Sequence, residues 1–292
     1  MSGIGTVALG KTSDGKYAAT IGGVQLSIPR QVGKTFLVGM MIIALCILNK
    51  NMTVLWTAHR TKTATKTFQT MQGMVKKKKI RGHLAAGRND GIRTANGEQE
   101  IRFRNGSVIM FGAREGGFGR GFDEVDIEVF DEAQILSEKA LEDMVAATNQ
   151  SRQESGALLF FMGTPPRATD PGEEWLERRN DALELKPMEQ VVGLSDDTVY
   201  VEFSADKDAD PDDMEQLAKA NPSFPHRTPL ESVMRMRKNL KNEDSFKREA
   251  MGIYDALDSG QVIDDVSWSN VCDPASVPLE RLTLAIDVAP NR

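Results

Sequence analysis

Ile28-Pro29-Arg30-Gln31-Val32-Gly33-Lys34-Thr35 stands between a short apolar run and a long one, and its reading decides the fold. Glycine, lysine and a hydroxyl residue, placed where a strand turns into a helix, form the pattern of a phosphate-binding loop. Gly33 lets the backbone approach phosphate oxygens, and amides at the start of the following helix point at them. Lys34 supplies a point charge, and Thr35 offers a hydroxyl to Mg2+. The usual loop opens on a glycine, where this chain has Ile28. An ordinary helix beginning with Gly-Lys-Thr would account for the stretch taken alone, so the assignment needs further sites in the right order.

Two such sites follow. Ile127-Glu128-Val129-Phe130-Asp131-Glu132 reads as a short buried strand ending in two carboxylates. Asp131 is expected to hold Mg2+ through water, and Glu132 to orient and deprotonate an attacking water. Ala157-Leu158-Leu159-Phe160-Phe161-Met162 is an apolar strand running into Gly163-Thr164-Pro165-Pro166, whose hydroxyl at the strand tip is placed to sense a γ-phosphate. Paired acids at one strand end are common on surfaces; three strand-end sites in this order are not.

Outward from these sites the chain alternates. Strands are expected at about 24 to 28 and 52 to 57, with helices at 34 to 48 and 61 to 75. Residues 100 to 104 and 108 to 111 flank Asn105-Gly106, which favours the tight primed turn of a hairpin. Strand 127 to 130, helix 137 to 147 and strand 157 to 162 resume the alternation. Strands separated by helices imply an α/β fold with a largely parallel sheet and helices on both faces, and ligands in such sheets bind beyond the carboxyl ends of the strands. Beyond Pro166 the pattern turns acidic and helical, with segments near 173 to 184, 212 to 220, 229 to 239 and 243 to 250, a short strand near 198 to 203, and a turn at Asn221-Pro222.

The longest apolar stretch, Phe36 to Leu48, is too short to span a bilayer, and no leader opens the sequence, so a cytoplasmic protein without membrane contact is expected. Two cysteines and three scattered histidines offer neither a disulfide framework nor a zinc site. The net charge is −6, but Lys62, Lys66, Lys76-Lys77-Lys78-Lys79, Arg81, Arg88, Arg93, Arg102, Arg104, Arg114 and Arg120 fall in one basic segment. These could form a phosphate-facing surface, while a solvated loop explains the lysine run equally well.

The motifs together resemble the large terminase subunit of tailed double-stranded DNA bacteriophages. That family replaces the first glycine of the loop, carries an Arg-Gln pair ahead of Gly-Lys as Arg30-Gln31 does here, and follows it with Asp-Glu-Ala and Gly-Thr-Pro at strand ends. Asn105-Gly106-Ser107 and Phe111-Gly112-Ala113-Arg114 add to the match, which spans roughly residues 15 to 292. The resemblance implies a P-loop NTPase core of the RecA-like, ASCE type over 1–166 and a small helical lid over 167–260. A linker over 261–281 and the first strand of an RNase H-like nuclease over 282–292 would follow.

It implies ATP binding by Arg30, Gln31, Val32, Gly33, Lys34 and Thr35, and Mg2+ held by Thr35 and Asp131. Catalysis would fall to Glu132, Arg30 and Arg120, the last reaching into an adjacent subunit, and coupling to Gly163 and Thr164. Asp287 would be the first nuclease ligand for Mg2+ or Mn2+; alone it cannot hold two metals, so DNA cleavage by this chain is not expected. Adenine contacts are not assigned, since the family's Trp-Gln pair has no counterpart and Gln25 lies too close to the loop. Implied partners are double-stranded viral DNA, the portal of a procapsid, a small terminase subunit and further copies in a ring of five, in the host cytoplasm. A helicase-like or DNA-remodelling P-loop ATPase is the alternative, although such a protein should show a second motor domain.

Overall fold

The computed structural model describes residues 2–87, 89–95, 99–119, 121–184, 192–194 and 197–255. Its centre is a nine-stranded sheet. The strands are β1 (Gly23–Ser27), β2 (Thr53–Ala58), β3 (Ile92–Arg93), β4 (Gln99–Arg102), β5 (Val108–Ala113), β6 (Ile127–Asp131), β7 (Leu158–Gly163), β8 (Val192–Leu194) and β9 (Thr198–Glu202), in the spatial order β3-β4-β5-β2-β6-β7-β1-β9-β8. From β5 to β9 every neighbouring pair is parallel. The antiparallel strands β3, β4 and β8 close the two edges. The hairpin expected around Asn105-Gly106 is β4–β5, with Ile101 opposite Ile109.

The helices are α1 (Ser2–Ala8), α2 (Lys34–Leu48), α3 (Thr61–Val75), α4 (Lys78–Arg81), α5 (Glu138–Val145), α6 (Glu173–Glu184), α7 (Met214–Ala220), α8 (Leu230–Asn239) and α9 (Glu243–Met251). In-register parallel pairing sets Val24, Phe160, Val129, Trp56 and Phe111 in one row across the sheet. That face buries against α2 and α3. α3 meets it with Ala64, Phe68, Met71 and Val75, the stripe expected of a 3.6-residue period, and leaves Lys62 and Lys66 exposed.

The next row, Gly112, Thr57, Phe130, Phe161, Gln25 and Tyr200, turns to the other face. There Phe130 and Phe161 stack at 4.9 Å and pack with Met144 of α5 and Trp175 of α6.

The expected lid does not begin at residue 167. α6 packs on the sheet through Trp175, and β9 pairs with β1 from Gly23↔Thr198 to Ser27↔Glu202. Without β9 the strand leading to the phosphate loop would carry an unpaired row of backbone amides and carbonyls on that side, which a buried strand does not tolerate. A separate apolar cluster starts only at Ala205 and gathers Leu217, Ala220, Val233, Phe246 and Met251 from α7, α8 and α9. The remainder of the expected lid (256–260), the linker (261–281) and the nuclease strand with Asp287 (282–292) lie outside the described residues.

Candidate active site

The loop between β1 and α2 begins where the sheet ends. The Ile28 amide donates to the Gly163 carbonyl at 3.1 Å, which ties the loop to the tip of β7. Gln31 (φ 62°) and Gly33 (φ 107°) are both left-handed. Turns of this kind are how a chain gathers amide donors around an anion, and a left-handed glutamine is a strained residue of the sort that collects at ligand sites. Val32 is buried and anchors the loop, whereas Arg30 and Gln31 are exposed.

Lys34 opens α2 and folds its ammonium back over the loop, donating to the carbonyls of Ile28 and, at 3.0 Å, Pro29. Desolvation pulls its pKa down to about 8; the Asp131 carboxylate works against that fall and the Arg30 cation adds to it. Thr35 is the next residue of the same helical turn.

Asp131 and Glu132 lie at the end of β6. The Asp131 side chain accepts from Thr67 Oγ1 of α3 at 3.2 Å and from the Glu132 amide at 3.0 Å. Burial raises its pKa, the neighbouring Glu132 raises it further, and Lys34 and Thr67 oppose the rise. Glu132 is itself left-handed (φ 55°, ψ 47°), a conformation that costs a non-glycine residue roughly 1–2 kcal/mol. Gly163 pairs with Ser27 beside the loop, and Thr164 after it is buried. A side chain at Gly163 would meet Gln134 Oε1 at 2.6 Å and the Trp175 ring at 2.8 Å, so the tip of β7 and the turn after β6 approach each other only because residue 163 has none.

The structure thus sets Lys34, Thr35, Asp131, Glu132, Gly163 and Thr164 at the carboxyl ends of β1, β6 and β7. Arg30 lies near enough for its charge to act on Lys34, and it has a partner of its own. Its guanidinium pairs with Glu249 of α9, which also faces Arg167 at 3.4 Å, and the Arg30 amide donates to the Glu249 carbonyl at 3.3 Å. Gln25 is buried in the sheet and donates to the Trp175 carbonyl at 3.2 Å. Arg120 and Arg88 lie outside the described residues.

Several cations of the basic segment have acidic or backbone partners. Arg81 pairs with Asp90 at 2.6 Å, Arg93 and Arg102 share Glu100, and Arg114 points inward. Thr67 and Arg114 are the site residues that sequence reasoning missed. For Arg114 the signal was its place directly after the apolar run of the expected hairpin, at the end of Phe111-Gly112-Ala113-Arg114.

Glu128, three residues before Asp131, is fully buried with neither carboxylate oxygen hydrogen-bonded within the protein. Burial pushes its pKa up to about 8, against the pull of Arg114. A raised carboxyl pKa contributes stability that is full below the unfolded value near 4.5 and is lost as pH rises toward 8. Glu128→Gln, which keeps the shape without the charge, should therefore match the parent protein near pH 5. It should melt about 3–6 °C higher at pH 9. Calorimetric scans at the two pH values check this; an equal shift at both would mean that charge is not the cause.

Mg2+ can be tested against this donor set. Among the described residues no group of three or more His, Cys, Asp or Glu gathers into a metal cage. One buried carboxylate and one threonine hydroxyl suit a small hard cation that keeps most of its water and takes its other ligands from phosphate.

No family model matches the sequence, and no curated protein matches it. Solved structures do. The chain is similar to the large terminase of bacteriophage HK97, with TM-score 0.62 and 16% identity over 79% of this chain and 46% of that one. It is similar to the large terminase of a thermophilic bacteriophage in complex with ADP, with TM-score 0.54 and 14% identity over 86% of this chain and 53% of that one. It also matches a variant of the large terminase ATPase domain of Thermus phage P74-26, with TM-score 0.51, 11% identity, and coverage of 80% and 89%. The chain therefore has the fold of these ATPase domains, and it spans about half the length of the first two proteins.

Proposed function

We propose that this chain is the ATP-hydrolysing portion of a phage large terminase, the motor that drives double-stranded DNA through a portal into a procapsid. The observation that carries the reading is the meeting of the phosphate loop, the Asp131-Glu132 pair and the Gly163-Thr164 tip at the carboxyl ends of β1, β6 and β7, in a sheet of the terminase ATPase fold. ATP enters with its phosphates over Gly33, Lys34 and the first turn of α2. Thr35 and Asp131 would hold Mg2+, which would supply positive charge to the phosphates. Glu132 orients a water and takes its proton. Thr164, at the tip that touches both the loop and the turn after β6, relays the state of the γ-phosphate.

The same reading gives Arg120 to the site of the neighbouring subunit in a ring of five. It assigns viral DNA, the portal and a small terminase subunit as partners, and the host cytoplasm as the place of work.

The test has two arms. The chain should release phosphate from ATP only with Mg2+, and full-length protein carrying it should show turnover stimulated about tenfold or more by portal-bearing procapsids and DNA, an effect of the size expected when assembly supplies a missing charge. Absence of Mg2+-dependent hydrolysis at micromolar protein would overturn the ATPase assignment. Hydrolysis stimulated by DNA but indifferent to the portal would favour a DNA-remodelling ATPase.

A further inference from the structure

Arg114 leaves the end of β5 half-buried, its guanidinium turned toward the strand ends. One guanidinium nitrogen donates to the Thr57 carbonyl at 3.2 Å and the Thr57 hydroxyl at 3.1 Å. The other donates to the carbonyls of Asp131 at 2.8 Å and Glu132 at 3.3 Å. The β2–β6 ladder runs from Val54↔Ile127 to Thr57↔Phe130 and goes no further. The guanidinium thus sits where the next rung would be, spanning two strand ends that have begun to part. Its fork is rigid and planar, so four bonds fix the plane in which both carbonyls lie.

One of those bonds falls on Glu132, a residue of the site whose backbone is strained. Glu132 is left-handed, and its carbonyl is turned to Arg114 by that conformation. A left-handed non-glycine residue persists only where its surroundings over-determine it. Arg114 from β5, Thr67 from α3 and the Asp131 side chain's bond to the Glu132 amide are those surroundings. The location of the cation also needs explaining, since even a partly desolvated guanidinium carries a cost and three carboxyl groups, Asp131, Glu132 and Glu128, lie within its electrostatic reach. Were only a strand end to be tied, a neutral side chain or an ordinary ladder bond would do it at lower cost.

We infer that Arg114 is the positioning residue for Glu132: its fork bridges Thr57 on β2 to the Asp131 and Glu132 carbonyls and holds the glutamate in the one orientation from which it can serve the attacking water. The inference rests on the reading of Glu132 as the residue that activates water, and goes beyond it. Arg114 touches no phosphate in this account, so its loss acts on turnover and not on nucleotide affinity. Lysine at this position keeps a charge but, as a point donor, cannot span both strand ends.

Single-turnover ATP hydrolysis and fluorescent-nucleotide binding on the full chain test this, with Lys34→Ala and Glu132→Gln as references. Arg114→Ala should lose about 100-fold in rate, the scale of a catalytic group displaced by about 1 Å, while its nucleotide Kd stays within about 3-fold of the parent. Arg114→Lys should lose at least about 10-fold with the same unchanged binding, and it carries the test if the alanine protein folds poorly. Guanidinium ion at about 20 mM should restore part of the Arg114→Ala rate and none of the Glu132→Gln rate, since only the former has a guanidinium-shaped vacancy. A rate within about 3-fold of the parent for Arg114→Ala, or a loss of affinity that accounts for the loss of rate, would overturn the inference. If Lys34→Ala and Glu132→Gln also hydrolyse ATP at the parent rate, the ATPase reading itself has failed, which is a different result.

Discussion

Lys34→Ala is expected to lower single-turnover ATP hydrolysis about 1000-fold or more. The ammonium is placed by the first turn of α2 and points across the loop to the Ile28 and Pro29 carbonyls, so it stands over the concavity that phosphates must enter. As the γ-phosphoryl group leaves, negative charge builds on the oxygen between the β- and γ-phosphates. A preorganised cation there works in a site largely closed to water, where solvent cannot replace it. Nucleotide affinity should fall too, because the ground-state phosphates already meet the same charge.

The fold should not suffer. A lysine pulled down to about 8 is one whose charged form the folded protein disfavours, so alanine removes a penalty that is present below that pH. The melting temperature should hold or rise. Phosphate-release kinetics at pH 7 decide the matter: a variant retaining a tenth of the parent rate would show that Lys34 does not serve the γ-phosphate.

The second large effect is expected at Glu132. Glu132→Gln should bind ATP as the parent does and hydrolyse it about 1000-fold more slowly, since the amide keeps the shape and cannot accept a proton. A companion substitution separates the chemistry from the conformation. Glu132→Gly removes both the carboxylate and the strain of a left-handed residue, so it should be as inactive as the glutamine variant yet more stable by about 1 kcal/mol. Equal loss of binding and hydrolysis in Glu132→Gln would take the residue out of the chemical step. A less stable Glu132→Gly would mean that the left-handed turn is relaxed and Arg114 has no strain to hold.

Much of this arrangement is legible in the residues. The run to Ile28, the glycine before Lys34 and the apolar helix after it announce a strand, a tight turn and a buried helix, because each has a local cause in backbone freedom or apolar period. Asn105-Gly106 announces its hairpin in the same way. The acidic pair and Gly163-Thr164 are read from their place at the ends of apolar runs.

What is not legible is lateral. Nothing in Thr198–Glu202 says that it lies beside β1, because parallel pairing is set by the whole topology and carries no local mark; hence the lid was expected to start too early. Thr67 looks like one of many threonines on α3 until the helix is laid against β6. Arg114 reads as a cation of a basic segment that also closes Phe111-Gly112-Ala113-Arg114, and only the separation of two strand ends gives it a task. Arg30 shows the converse: its position in the loop is legible, its tie to Glu249 on the distant α9 is not.

The place of β1 in the sheet also bears on how the protein is made. The strand that leads into the phosphate loop leaves the ribosome well before its two neighbours, β7 and β9, which are made far later. Contacts so distant along the chain close late and slowly. During synthesis Gly33 and Lys34 therefore follow a strand without partners, and capacity to hold a nucleotide is expected only once Thr198–Glu202 has emerged and docked. A nascent chain arrested before that strand should neither retain ATP nor resist protease around β1, and one arrested after it has cleared the exit tunnel should do both.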